Sequence, residues 1–143
     1  MTMRPIILCL AALVLTTVAR ADDLTPGLWE LSLDAKAASE PGFQAGPIMV
    51  NQCLTKDDAR DPRKVLGPLT TAGATDCTYS RSTYDGGTFR FAMQCGGTLG
   101  LKTTGEVTFS ATLFNGTITT SSTIAGKRVD FKSAITGRRL GDC

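Results

Sequence analysis

From Cys77 to Cys95 the chain reads Cys-Thr-Tyr-Ser-Arg-Ser-Thr-Tyr-Asp-Gly-Gly-Thr-Phe-Arg-Phe-Ala-Met-Gln-Cys. Two runs of alternating residues flank a glycine-rich centre, which is how a β-hairpin reads. Asp85-Gly86-Gly87 taken as a three-residue loop, with glycine supplying the positive φ, places Cys77 opposite Cys95. The same register sets Tyr79 against Met93, Arg81 against Phe91 and Thr83 against Phe89. One face then carries Cys77, Tyr79, Phe89, Phe91, Met93 and Cys95, and the other Thr78, Ser80, Ser82, Arg90 and Gln94. Directly opposed strand residues bring their Cβ atoms within bridging distance, so Cys77 and Cys95 are expected to form a disulfide.

Alternation of the same kind extends both ways from this hairpin. Trp29, Leu31 and Leu33 alternate with Glu30, Ser32 and Asp34, and Pro47 to Cys53 reads as a second strand. Downstream, Leu99, Leu101, Thr103, Val107 and Phe109 face one way against Lys102, Thr104, Glu106 and Thr108. Ile118, Ser122 and Ile124 continue the pattern weakly. After a turn at Ala125-Gly126, Val129, Phe131, Ser133 and Ile135 resume it against Arg128, Asp130 and Lys132. A turn at Ser110 to Leu113 divides the intervening segment into better-balanced strands than one at Asn115-Gly116. The expected fold is all-β: an antiparallel meander closing into a small barrel or a sandwich, with one short helix after Cys53. Thr55 is that helix's N-cap with Asp58 at N3 of a capping box, Pro62 ends it, and Arg63 to Thr75 reads as an irregular connection.

Residues 1–21 have the anatomy of a cleaved signal peptide: Arg4, an apolar run from Ile6 to Val18, and Ala19-Arg20-Ala21 as the cleavage site. Residues 22–143 then form one disulfide-bonded β domain of ordinary size, periplasmic or secreted. Cleavage removes Cys9 and leaves Cys53, Cys77, Cys95 and Cys143, an even set in an oxidising compartment. With Cys77 and Cys95 joined, Cys53 pairs with Cys143. The long gaps between these cysteines and the complete lack of histidine argue against zinc, and no Cys-x-x-Cys suggests thiol redox chemistry.

Charge excludes further classes. The chain has 15 Lys plus Arg and 13 Asp plus Glu, and losing Arg4 and Arg20 leaves the mature part neutral overall. Nothing in that balance recommends nucleic acid or an anionic membrane, and the mature part contains no span. A serine hydrolase without histidine needs a lysine base, and Ser-x-x-Lys spacing is absent from the mature part. Asp57 and Asp58 read as helix-start caps rather than an acid/base pair, so hydrolysis by carboxylates is the least favoured reading and no enzyme or cofactor is expected. Asn115-Gly116-Thr117 matches a glycosylation sequon.

What remains is binding. Trp29, Phe89, Phe91, Met93, Phe109 and Phe131 are candidates to line a site for a small apolar or amphipathic ligand. The alternative is a cell-envelope module that docks another protein through an exposed edge or patch. Arg138 and Arg139 point to opposite faces as strand neighbours, so a structural ion pair with Glu30 or Asp142 suits them better than a joint anion clamp.

Several landmarks together resemble the bacterial exported family called domain of unknown function 3617. They are Pro26-Gly27-Leu28-Trp29-Glu30, Cys53-Leu54-Thr55 with Asp58-Ala59, the central cysteine pair, Gly105-Glu106-Val107-Thr108, and Gly137-Arg138-Arg139-Leu140-Gly141-Asp142-Cys143. The resemblance implies a β-rich exported domain in a Gram-negative envelope. It implies no reaction, cofactor or catalytic residue.

Overall fold

The structure is a computed structural model that describes residues 24–37, 46–71 and 74–143. The leader reading of residues 1–21 lies outside them. Seven strands make one antiparallel sheet: β1 Gly27–Ala37, β2 Ile48–Leu54, β3 Thr75–Asp85, β4 Thr88–Gly96, β5 Lys102–Phe109, β6 Leu113–Ile124 and β7 Lys127–Gly141. Their order is β2-β1-β7-β6-β5-β4-β3. β3 to β7 are the expected meander, and the first strand closes onto the last, Leu31 opposite Gly137 and Glu30 opposite Arg138. The sheet keeps two edges, β2 and β3, so among the described residues it is not a closed barrel.

It is nonetheless coiled. A flat seven-stranded sheet would hold its edges about 29 Å apart. One nine-residue helix, about 14 Å long, packs on β1 and β2 and also places Thr70 within hydrogen-bonding reach of Tyr79 on β3. Three inner-face glycines on successive strands mark the line of bending: Gly105, Gly116 and Gly137. A Cβ on Gly116 would lie 2.2 Å from the Glu106 carbonyl oxygen, so β5 and β6 approach more closely there than any other residue permits. On Gly105 and Gly137 the rings of their cross-strand partners Phe91 and Phe114 occupy the space instead, with virtual Cβ distances of 2.5 and 2.1 Å.

The β3–β4 hairpin differs in detail from the expected one. Asp85 pairs with Thr88, so the turn has two residues, Gly86 and Gly87, both at positive φ (54° and 74°) as a primed hairpin turn requires. A bulge between Tyr79 and Arg81 then restores the Tyr79–Met93 pairing. Between turn and bulge the faces are exchanged. Ser82 and Tyr84, rather than Arg81 and Thr83, stand opposite Phe91 and Phe89, and the Tyr84 ring meets Phe109 edge-on with centroids 6.1 Å apart. Cys77 and Cys95 are bridged, as are Cys53 and Cys143. The β5–β6 turn lies at Ser110 to Thr112 and leaves Asn115-Gly116 inside β6.

The connection after β2 is more ordered than the sequence suggests. Helix α1, Lys56–Ala59, has the expected capping box: the Asp58 amide donates to Thr55 Oγ1 (3.2 Å) and the Thr55 amide to the Asp58 carboxylate (3.1 Å). Pro62 ends α1 but also starts a second helix, α2, Pro62–Thr70, so Arg63 to Thr75 is largely helical rather than irregular. Proline at the first helical position gives up an N–H that has no intrahelical partner anyway, and Asp61 caps the turn by accepting from the Arg63 amide. Gly67 and Pro68 make α2 a poor helix in isolation; burial of Val65, Leu66 and Leu69 against the sheet holds it.

The core is one cluster on the inner face. Trp29, Leu31, Val65, Leu66, Val107 and Ile135 are fully buried. The rings form two groups: Trp29 stacks on Phe114 (5.9 Å) and Phe114 meets Phe109 (5.2 Å), while Phe89 stacks on Phe91 (5.2 Å).

Candidate functional site

The two ends of the coiled sheet are built differently. At the end carrying the β3–β4 and β5–β6 turns, Trp29, Phe109 and Phe114 fill the interior, and the Trp29 indole N–H donates to the Thr25 carbonyl at 2.9 Å. Arg139 pairs with Trp29 across β1–β7, donates to the Pro26 carbonyl at 2.9 Å and forms an ion pair with Asp142. Together with the Cys53–Cys143 bridge these contacts close that end. Arg138 lies on the outer face, 2.8 Å from Glu30. The two arginines therefore occupy opposite faces in separate ion pairs, and neither is available to the other's ligand.

Toward the opposite end the inner face loses bulk. Its rows there run from Ala35 through Ser133, Ile118 and Gly105 to Phe91, and from Phe131 through Thr120 and Thr103 to Met93. Thr103 and Thr120 share a hydrogen bond of 3.2 Å. Of the proposed lining residues, Trp29, Phe89, Phe91, Met93 and Phe109 are buried core, whereas Phe131 is only half-buried and stands outside the buried cluster. Leu33, Val129 and Leu101 beside it are likewise half-buried. Helix α2 and Tyr79 cover the β3–β4 side of this end; burial raises the Tyr79 hydroxyl above the ordinary phenol range, and the Thr70 hydrogen bond opposes the shift.

Among the described residues, two turns at this end of the sheet are tied together into a rim. The Thr123 amide and the Ser122 hydroxyl both donate to the Leu99 carbonyl, at 3.0 and 3.1 Å. Leu99 and Ile124, expected on the inner face, are instead 43% and 45% exposed: Leu99 lies in the turn between β4 and β5, and Ile124 is the last residue of β6, paired with Lys127 at the β6–β7 turn. The outer face is hydroxyl-rich and crossed by exposed ion pairs, Arg90–Glu106 at 2.8 Å and Arg128–Asp130 at 2.9 Å. The Ser121 hydroxyl, donating at 2.6 Å, and then Arg128 hold the Asp130 carboxyl below the usual range. Open depressions of ≈ 320 and ≈ 400 Å³ on this face are lined by such groups as Arg81, Thr104, Glu106 and Lys102. A third, ≈ 450 Å³, lies between exposed Met49 and Leu113 over the Glu30–Arg138 pair.

Alternation in the sequence located the inner face but not which of its residues stay partly exposed. Among the described residues that is set by α2 and by the two rim turns, neither of which periodicity encodes. No group of three or more His, Cys, Asp or Glu that could hold a metal ion occurs among the described residues, and no helix there is long and apolar enough to cross a membrane.

A model of the family described as "Protein of unknown function (DUF3617)" matches residues 24–143. No curated protein and no solved structure shows a match.

Proposed function

We propose, for a chain that belongs to the DUF3617 family, a non-enzymatic binding domain of the bacterial periplasm or cell exterior that takes a small apolar or amphipathic molecule beside the partly exposed Phe131 on its inner face. One observation carries the reading. Phe131 points inward by register, beside the small residues Ser133, Thr120 and Ala35, yet is not absorbed into the core that buries every other inner phenylalanine. An aromatic left half-solvated beside small neighbours is a place where burial of an alkyl or ring group is favourable, at about 25 cal/mol per Å² of apolar surface. Thr120, cross-strand partner of Phe131 and itself partly exposed, supplies the polar contact an amphipathic guest needs. The two disulfides support an extracytoplasmic setting. Intact mass of the exported protein tests that part, with Asp22 expected as the first residue.

The binding test is saturable uptake of a fluorescent fatty-acid probe. Phe131→Arg should abolish it, and Arg139→Ala, at the closed end, should leave it unchanged. Trp29 emission and circular dichroism verify that each variant is folded. No saturable uptake by folded wild-type protein overturns the reading.

A second reading, docking of another envelope protein, is favoured by strand β2. This edge strand has no ionisable side chain from Ile48 to Leu54, and Ile48 and Met49 are 47% and 57% exposed. The other edge, β3, carries Asp76, Arg81 and Asp85 and a bulge, the usual protections against pairing. A photo-crosslinker at Asn51 discriminates: a discrete adduct in cells supports docking, and its absence alongside probe uptake leaves the first reading standing.

A further inference from the structure

We infer that the rim formed by the β4–β5 and β6–β7 turns docks on the surface of an anionic phospholipid bilayer, inserting Leu99 and Ile124 while nearby cations contact lipid phosphates. Four observations converge on this end of the sheet.

The first is apolar exposure at paired tips. Leu99 and Ile124 are among the few large apolar side chains left open to water, and the two hydrogen bonds to the Leu99 carbonyl hold their turns side by side. An isolated exposed leucine means little, but two on adjoining turns make a shared apolar tip. The second is charge. Lys102, Lys127, Arg128 and Lys132 lie on the strands that lead into these turns. Among the described residues the carboxylates nearest these cations are Asp130, which Arg128 engages, Asp76 on β3, and Asp34, two residues from Lys36 on β1. Lys102, Lys127 and Lys132 make no ion pair among the described residues, although Arg63, Arg90, Arg128, Arg138 and Arg139 all do.

The third observation is a local conflict. Lys132 stands directly opposite Lys36 across β1–β7. Like charges at facing positions oppose each other, and an external anion would relieve them further than Asp34 and Asp130, two residues away along each strand, can. The fourth is position: the cations sit behind the apolar tips, so tips in the acyl boundary place ammonium and guanidinium groups at headgroup level, the arrangement of interfacial proteins. Net neutrality of residues 22–143 conceals this, because Glu30, Asp58, Asp61, Glu106 and Asp142 are engaged in ion pairs elsewhere on the fold. Electrostatics identifies the occupant as an anionic lipid surface; a neutral bilayer would leave the cations without partners. The same rim borders the part of the inner face that holds Phe131, so docking would bring that residue near lipid, but rim docking does not require the interior to take a ligand.

The test is flotation of oxidised protein, recovered from the periplasm of an expression host, with vesicles. Vesicles of phosphatidylcholine alone are compared with vesicles in which about a third of the lipid is phosphatidylglycerol. Partitioning is expected only onto the latter, and raising salt to about 0.5 M should release most of the protein. Each cation near such a surface is worth a factor of about five, so Lys127→Glu with Arg128→Glu should lower partitioning at least about twentyfold. Leu99→Asp with Ile124→Asp should lower it about tenfold. Arg90→Gln, on the outer face away from the rim, should partition like wild type. These substitutions lie on exposed turns and strand ends, and circular dichroism verifies their folding. Equal partitioning onto both vesicles, none onto either, or full retention by the rim variants overturns the inference. Partitioning without fatty-acid uptake keeps it and overturns the reading of the interior; uptake without partitioning does the reverse.

Discussion

Replacing Gly137 with alanine should destabilise the domain by about 2 kcal/mol, through contact with a single ring. The new methyl would stand 2.1 Å from Phe114 Cε1, 2.3 Å from Cζ and 2.7 Å from Cδ1. Ordinary contact begins about 3.4 Å away, so the ring must retreat by more than 1 Å. It cannot do so freely, since Trp29 stacks against it at 5.9 Å and Phe109 lies against it at 5.2 Å. Overpacking of a well-filled core costs roughly 1 to 3 kcal/mol, and a ring held by two others belongs at the upper end. Gly137 does not have positive φ, so alanine fits its backbone and recovers about 0.4 to 1 kcal/mol through a less flexible unfolded chain. The net is about 2 kcal/mol, a fall in midpoint temperature of about 8 °C for a domain of this size. Urea denaturation followed by Trp29 emission measures it well, because the only tryptophan is fully buried beside the perturbed ring. The slope with urea should not change. In a Phe114→Leu background the cost should vanish, a coupling of about 2 kcal/mol. A loss under about 0.5 kcal/mol, or additive single and double mutants, would refute the account of Gly137 as the space for the Phe114 ring.

Gly67→Ala should act oppositely: its Cβ meets nothing within 4 Å in the interior of α2, so the substitution should add about 0.5 to 1 kcal/mol in the same denaturation assay. Opening the Cys53–Cys143 bridge by double serine substitution should cost more than opening Cys77–Cys95, up to about 4 to 5 against about 3 kcal/mol, since the loops span separations of 90 and 18 residues; a reversed order of urea midpoints would contradict this. Hydrogen bonding by Thr55 lowers the Asp58 carboxyl, Arg63 lowers Asp61, and Ser121 lowers Asp130. A carboxyl lowered on folding stabilises above its unfolded value near 3.8 and loses that contribution as pH falls through the folded value. Stability should therefore be level from about pH 5 to 8, with no histidine to titrate, and decline below about pH 4, less steeply in Asp58→Asn; a transition near pH 6.5 would contradict it.

Hairpins were legible in the sequence because each is a local object: alternating faces and a glycine turn specify β3–β4 and β6–β7 within some twenty residues. The bulge at Ser80 was not, since it answers to the aromatic row that draws Tyr84 against Phe109, a contact made through the coiled sheet. Helix α2 was hidden by its composition. Pro62, Gly67 and Pro68 read as breakers, and only tertiary burial of Val65, Leu66 and Leu69 outweighs them. The opposite placements of Arg138 and Arg139 followed from strand alternation, whereas the half-solvated setting of Phe131 did not, because its solvation depends on what fails to cover it.

The pairing of β1 with β7 has a temporal side. Strands β3 to β7 join neighbours through short turns, and their contacts can form as soon as each hairpin is available. Strand β1 can take its place only when β7 exists, and the Glu30–Arg138 contact spans 108 residues. Residues 24–71, with β2, α1 and α2, must therefore wait in a chain made from its N-terminus while the later two thirds assemble. During that interval Trp29, Leu31 and the uncharged β2 have no β7 to close on. Contact order places the docking of the earliest segment onto the latest strand late in folding, and the interval before it is when exposed edges favour aggregation.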